Sequence, residues 1–245
     1  MSTIKNILVN KDSSCQSIWF MRQAGRYLPE FKKIRLKNKN FINLCLNSEL
    51  SSEITLQPIK RYNLDSAIIF SDILLIPYAL GQNVKFIKDK GPILSEFNIN
   101  EFLKNNRENF SSKLKPIYQA IKKTRRNLKK EKSLISFIGA PWTLLVYMFG
   151  LKKNKNEINL LKFKNKKNEL NKIMDSLIKY SCLHIENQIE AGADLVQIFD
   201  SWAGLLPDND LENYCYKANL EIVNFCKKRK IPVSYTHLTL PTTPY

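Results

Sequence analysis

Short apolar runs bounded by turn residues recur along the chain at Ala67–Phe70 (AIIF), Leu134–Ile138 (LISFI) and Leu195–Phe199 (LVQIF), and a further strand starts at Ile231-Pro232-Val233. Runs of this length, rich in β-branched and aromatic residues, read as strands buried on both faces. Longer stretches with helical spacing lie between them. Leu170, Ile173, Met174, Leu177, Ser181, His184, Ile185 and Gln188 map one face of a helix that stops near Ala191-Gly192, where a glycine is the usual terminator. The same spacing predicts helices over about Ser48–Tyr62 and Ser111–Leu128. Strands alternating with helices predict an α/β protein with a parallel sheet.

Polar residues follow each strand directly: Ser71-Asp72 after the first, Gly139–Thr143 after the second and Asp200-Ser201-Trp202 after the third. Strand C-termini carry the site in α/β barrels and in doubly wound sheets alike. The chain has no G-x-G-x-x-G or Walker glycine pattern, which disfavours a nucleotide-binding sheet. The expected fold is therefore of the (β/α)8 TIM-barrel type. It is expected to be incomplete in this chain, because only about half of the eight strand–helix units are discernible by Val233.

The last segment, Ser234–Tyr245, has no charged residue and no Asn, after a chain saturated with Lys and Asn. Residues 1–233 read as the N-terminal portion of a single barrel, and 234–245 as a foreign tail. An unfinished barrel leaves a strand edge and apolar helix faces open, so the chain on its own is expected to be poorly soluble or molten, and inactive.

Composition narrows the partners. A length of 245 residues with 44% apolar content suits one large domain. Lys and Arg total 39 against 22 acidic residues, a net charge of +17, which raises nucleic acid as a partner. The densest clusters, Lys122–Lys130 and Lys152–Lys167, contain few aromatics to stack bases, so a solvated basic surface and no nucleic acid are expected. The same field attracts a polyanionic small substrate.

The longest apolar stretch, Ala67–Leu80, is broken by Ser71, Asp72 and Pro77, so no membrane span is expected. Met1–Asn10 lacks the charged-then-apolar pattern of a secretory signal, which points to the cytoplasm. Cys15, Cys45, Cys182, Cys215 and Cys226 form no C-x-x-C pair and read as reduced core thiols. His184 and His237 are the only histidines, which argues against a His-rich metal site.

Four places carry candidate chemistry. Arg22 and Arg26, four apart in WFMRQAGRYLPEF, suit a forked carboxylate receptor or a plain pair of surface arginines. Asp72 lies in an apolar run, where a carboxylate needs a charged or strongly donating partner; a helix cap is the other reading. Tyr147 lies one helical turn from Thr143 and faces the same mouth or packs in the core. Ser201 is a hydrogen-bond donor at a strand end or an N-cap, and no G-x-S-x-G elbow makes it a nucleophile.

Together, RQAGRYLPEF, IIFSDILLIPYALG, KGPIL, GAPWTL-x-x-YM and VQIFDSWAG resemble, in order and spacing, the successive signatures of the uroporphyrinogen decarboxylase family. The resemblance covers nearly all of Trp19–Val233. It implies a distorted TIM barrel, a homodimer and no metal or organic cofactor. The implied substrate is uroporphyrinogen III, whose four acetate arms become the methyls of coproporphyrinogen III in haem biosynthesis. Residue by residue, Arg22, Gln23, Ala24, Gly25 and Arg26 would bind substrate carboxylates. Asp72 would face the pyrrole N–H groups as the transition-state stabiliser, and Tyr147 and Ser201 would hydrogen-bond the substrate.

The chain departs from the family pattern in two places. It lacks a late G-H-G-type motif: His237 falls in the tail, and His184 sits mid-helix as a packing residue. Phe149–Lys167, rich in Lys and Asn, reads as a looser lid. A corrinoid- or thiol-dependent methyltransferase of the same superfamily is the alternative; it needs a zinc site that Cys215 and Cys226, with no neighbouring histidine, do not supply. A basic nucleic-acid- or porphyrin-binding protein is the alternative from another class, and salt-sensitive binding to random DNA would mark it.

Overall fold

The computed structural model describes residues 3–11, 16–24, 27–87, 90–154, 157–158 and 166–237. Four parallel strands form the sheet: β1 (Ser66–Ile68), β4 (Ser133–Gly139), β7 (Leu195–Asp200) and β8 (Val233–His237), side by side in that order. The ladders place Ile68 beside Ile135, Gly139 beside Phe199 and Asp200 beside His237. The strands expected at Leu134–Ile138 and Leu195–Phe199 are each within a residue of these bounds. The first regular strand closes at Ile68, although the Ile69 N–H still donates to the Ile135 carbonyl at 3.0 Å.

Four helices cover the outer face: α4 (Ser48–Arg61), α7 (Arg107–Asn127), α9 (Lys167–Glu190) and α11 (Lys217–Lys228). They pack pairwise in that order, following the strands beneath them. Local chemistry sets their ends. The Asn47 side chain accepts the Glu49 and Leu50 N–H groups at the start of α4, and Asn106 does the same for Asn109 at the start of α7. Beyond α9, Gly192 adopts φ +109°, a conformation other residues take only with strain. His184 is a buried packing residue of α9, in ring contact with Phe110 and Tyr118.

Alternation along the strands divides the core. Ala67, Ile69, Leu134, Ile138, Val196 and Ile198 join the main cluster with the helices. Ile68, Ile135 and Leu195 form a second cluster with Ile4 of α1 (Thr3–Asn10), which lies against β4. α2 (Pro29–Lys37) and α3 (Phe41–Cys45) lead into α4, and the Arg61 guanidinium holds the Glu30 carboxylate by two bonds of 3.1 and 2.9 Å.

Between β1 and α7 come α5 (Leu75–Ala79), an antiparallel hairpin of β2 (Val84–Ile87) and β3 (Gly91–Leu94), and α6 (Ile99–Leu103). The hairpin was not expected from sequence, because its strands are short and half polar, and one contains Pro92. After β4 come α8 (Pro141–Met148) and a small antiparallel pair, β5 (Lys152–Asn154) with β6 (Glu157–Ile158). After β7, a 3-10 turn at Ala203–Leu205, α10 (Asp208–Leu211) and a π-helical stretch at Glu212–Tyr216 lead into α11.

Among the described residues the sheet is open at β1 and at β8. This is an incomplete (β/α)8 architecture. β8 runs past Val233 through Ser234–His237, four residues into the segment set apart on composition. Ladder pairing with β7 is indifferent to the loss of Lys and Asn on which that boundary rested. Among the described residues, no helix is long and apolar enough to cross a membrane.

Candidate active site at the strand C-termini

The turn after β1 places Asp72. Its Oδ1 accepts the Leu74 N–H at 2.8 Å and its carbonyl accepts the Leu75 N–H at 3.3 Å, an aspartate turn that starts α5. Just before it, the Phe70 N–H donates to Thr55 Oγ1 at 2.8 Å and the Ser51 hydroxyl donates to the Phe70 carbonyl at 2.6 Å. Gly139, at the end of β4, lets this turn approach. A Cβ there would lie 2.8 Å from Leu144 Cδ2, closer than side chains come, and 3.0 Å from the Ile73 Cβ, which would have to give way.

Tyr147 stands on α8, half-buried, with its ring edge-on to Trp202 at 5.8 Å between centroids. Burial raises the Tyr147 pKa above its usual value, and the neighbouring Trp202 side chain opposes the rise. Two charges also reach this hydroxyl: the Asp72 carboxylate raises its pKa further and the Arg22 guanidinium lowers it. Tyr147 therefore responds to charges carried by two other segments of the chain. Ser201 follows β7 directly and precedes Trp202, so it stands at the same end of the sheet.

Arg22 is exposed, whereas its neighbour Gln23 is 3% exposed and turned into the fold. Gln23 Nε2 donates to the Ser66 carbonyl at 2.8 Å and its Oε1 accepts the Ile68 N–H at 3.2 Å. The Gln23 amide is thus committed to the backbone of β1. Ala24 is half-buried against the main core. Gly25 and Arg26 lie outside the described residues, as do Cys15 and residues 155–156 and 159–165 of the expected lid.

A cleft of about 700 Å³ opens beside Tyr147 and Trp202, walled by Gly91, Leu94, Phe97 and Phe149. Its volume is within the range of about 300–1,000 Å³ usual for small-molecule sites. The hairpin β2–β3 supplies one wall; its second strand, Gly91–Leu94, lies in the KGPIL segment, which entered the sequence reading only through the family resemblance and not as a strand.

Sequence reasoning gave no role to Asp200 and Thr143. Asp200 is fully buried at the end of β7. Thr143 Oγ1 donates to its Oδ1 at 2.8 Å, while Cys215 Sγ at 3.1 Å and Asn219 Nδ2 at 2.9 Å donate to Oδ2. The Tyr235 hydroxyl adds a fourth bond at 3.1 Å. Burial, reinforced by the Asp200 charge, pushes the Cys215 thiol up to about 12. Burial also leads the rise of Cys226 to about 11 and of Cys182 to about 12, so none of the three is a thiolate at neutral pH.

The family described as uroporphyrinogen decarboxylase (URO-D) matches residues 1–238. The chain is 44% identical over 237 residues to the uroporphyrinogen decarboxylase of Orientia tsutsugamushi (strain Ikeda), covering 94% of this chain and 67% of that protein. It is 41% identical over 214 residues to that of Chelativorans sp. (strain BNC1), covering 86% and 62%. For Rickettsia felis the figures are 41% over 228 residues, 92% and 66%. The chain thus spans about two thirds of the length of these relatives. Among solved structures, a methyltransferase from Methanosarcina mazei superposes with a TM-score of 0.73 over 96% of this chain and 68% of its own; at 14% identity the likeness is one of fold.

Proposed function

Because the chain belongs to the uroporphyrinogen decarboxylase family, we propose that its protein converts the four acetate side chains of uroporphyrinogen III to methyls, giving coproporphyrinogen III. The observation that carries this reading is the family match over residues 1–238; it is supported by Tyr147, which lines a cleft at the strand C-termini, and by Asp72 in the turn that follows β1.

Loss of CO₂ from an acetate arm leaves an electron pair that must be accommodated. Protonation of the adjoining pyrrole makes the ring electron-poor, so the substrate supplies its own electron sink. The Asp72 carboxylate accepts pyrrole N–H bonds and stabilises the cationic ring, with its geometry preset by the turn to Leu74. Arg22, together with Arg26, grips carboxylates on other arms and fixes which arm reacts. The raised pKa of Tyr147 keeps its hydroxyl protonated and able to donate, and Ser201 adds a second hydroxyl. Arginine, with a pKa above about 12, is a poor acid, so water or a substrate carboxyl held by Arg22 or Arg26 delivers the proton.

The same proposal includes a homodimeric cytoplasmic enzyme that needs no metal or organic cofactor and binds no nucleic acid. It also includes the domain reading, residues 1–233 as the N-terminal part of one barrel followed by a foreign tail. Sequencing the gene across Val233 tests the tail.

Activity is tested on the full-length protein by anaerobic incubation with uroporphyrinogen and chromatography of the oxidised products. Coproporphyrin is the expected product. Absence of turnover would overturn the reading, and activity that a chelator removes and zinc restores would overturn its cofactor-free part.

A further inference from the structure

We propose that Thr143 is a positioning residue that locks Tyr147 and Ser201, the two hydroxyls assigned to the substrate, into one rigid unit; the proposal rests on the decarboxylase reading above. Thr143 is fully buried in the first turn of α8. Its hydroxyl is used in both directions. It donates to Asp200 Oδ1 at 2.8 Å and accepts the Trp202 N–H at 3.2 Å. The preceding residue completes the grip, since the Trp142 indole Nε1 donates to the Trp202 carbonyl at 3.1 Å. Consecutive residues of α8 therefore hold both backbone polar groups of Trp202 and the side chain of Asp200. Ser201 is the residue between those two anchors.

The other arm of the unit runs along α8. Thr143 and Tyr147 are four apart, one helical turn, and so lie on one face. The Tyr147 ring meets the Trp202 indole edge-on, which closes a ring of contacts through Thr143, Asp200, Ser201, Trp202 and Tyr147. Asp200 gives that ring a fixed base, because Cys215 and Asn219, from the π-helical stretch and α11, hold its second oxygen. A hydroxyl is needed at position 143, since only a group that donates and accepts through one atom serves Asp200 and the Trp202 N–H together. Valine fills the same space and removes both bonds, the one to Asp200 Oδ1 and the one from the Trp202 N–H.

The test is the kcat/KM of the full-length protein for uroporphyrinogen, with Thr143→Val and Thr143→Ser compared. Loosening two substrate-facing groups by a fraction of an ångström is expected to lower kcat/KM about 10–100-fold in Thr143→Val, and Thr143→Ser is expected to restore most of it. The effect of Thr143→Val should also shrink markedly when Tyr147→Phe and Ser201→Ala are already present, as for residues that act through one another. If the valine variant does not fold, Thr143→Cys, with a weak donor of similar size, replaces it and its kcat/KM should lie below that of Thr143→Ser. Unchanged kcat/KM in Thr143→Val, or the same fold-loss with and without the two hydroxyls, overturns the clamp and leaves Thr143 a stabilising core residue. A wild-type protein without turnover overturns the decarboxylase reading, and the clamp's role in it as well.

Discussion

The side-chain amide of Gln23 serves as the missing neighbour of β1: its Nε2 lies 2.8 Å from the Ser66 carbonyl and its Oε1 3.2 Å from the Ile68 amide. These backbone groups point away from β4, toward the open edge of the sheet. Two residues further on, Thr55 and Ser51 treat Phe70 in the same way. The edge of β1 is thus sealed by side chains, and the residue that seals its start also carries Arg22 into place.

Gln23→Leu should therefore be costly for its size. It leaves a buried carbonyl and a buried N–H unpaired, at about 1–3 kcal/mol each. Denaturant unfolding of the full-length protein measures the loss, and amide exchange at Ile68 localises it. Unchanged exchange at Ile68 would show that the glutamine does not hold the strand.

Asp72→Asn separates turn from charge. The asparagine oxygen still accepts the Leu74 N–H, so the fold and the melting temperature should be kept. The carboxylate that faces the cationic ring is lost, and turnover should fall on the order of 10²–10³-fold. Near-normal turnover would reduce Asp72 to a turn former.

Gly139→Ala tests the close approach behind Asp72. The new methyl meets the Ile73 Cβ at 3.0 Å, and a Cβ cannot swing away as a side-chain tip can. Overpacking of this kind costs about 1–3 kcal/mol, and the turn that carries Asp72 is the element displaced. Lower stability accompanied by lower kcat is the expected outcome; full activity would show that the turn absorbs the methyl without moving Asp72.

His184 gives the fold a pH dependence. Burial lowers its pKa from 6.5 to about 3, with the Tyr118 hydroxyl 3.0 Å from Nδ1. The unfolded chain therefore takes up a proton that the folded chain refuses. The stabilisation is complete above about pH 6.5 and is lost as pH falls toward 3, with a slope near 1.4 kcal/mol per pH unit. Between pH 7.5 and 5, His184→Gln, which does not titrate, should lose on the order of 2 kcal/mol less stability than the parent. Identical pH profiles for the two proteins would show that His184 is hydrated or protonated in the fold.

The strands and the main helices were legible in the sequence, because a period of two or 3.6 records which face a residue buries, and burial is the largest local demand on the chain. For the same reason Asp72, Tyr147 and Ser201 stood out as polar residues beside strand ends or within apolar stretches. The hairpin β2–β3 escaped, since its short, half-polar strands carry no clear period. Partners across the fold escaped too. In the sequence Gln23 stands out only as a carboxylate-binding neighbour of Arg22, and nothing there shows that its amide pairs with strand β1, 43 residues away. Thr143 and Asp200, 57 residues apart, become one hydrogen-bonded pair only when β4 and β7 lie side by side with Gly139 opposite Phe199. Sequence periodicity determines the face to which a residue belongs; the strand register, a property of the assembled sheet, decides which polar groups then lie within 3 Å of one another.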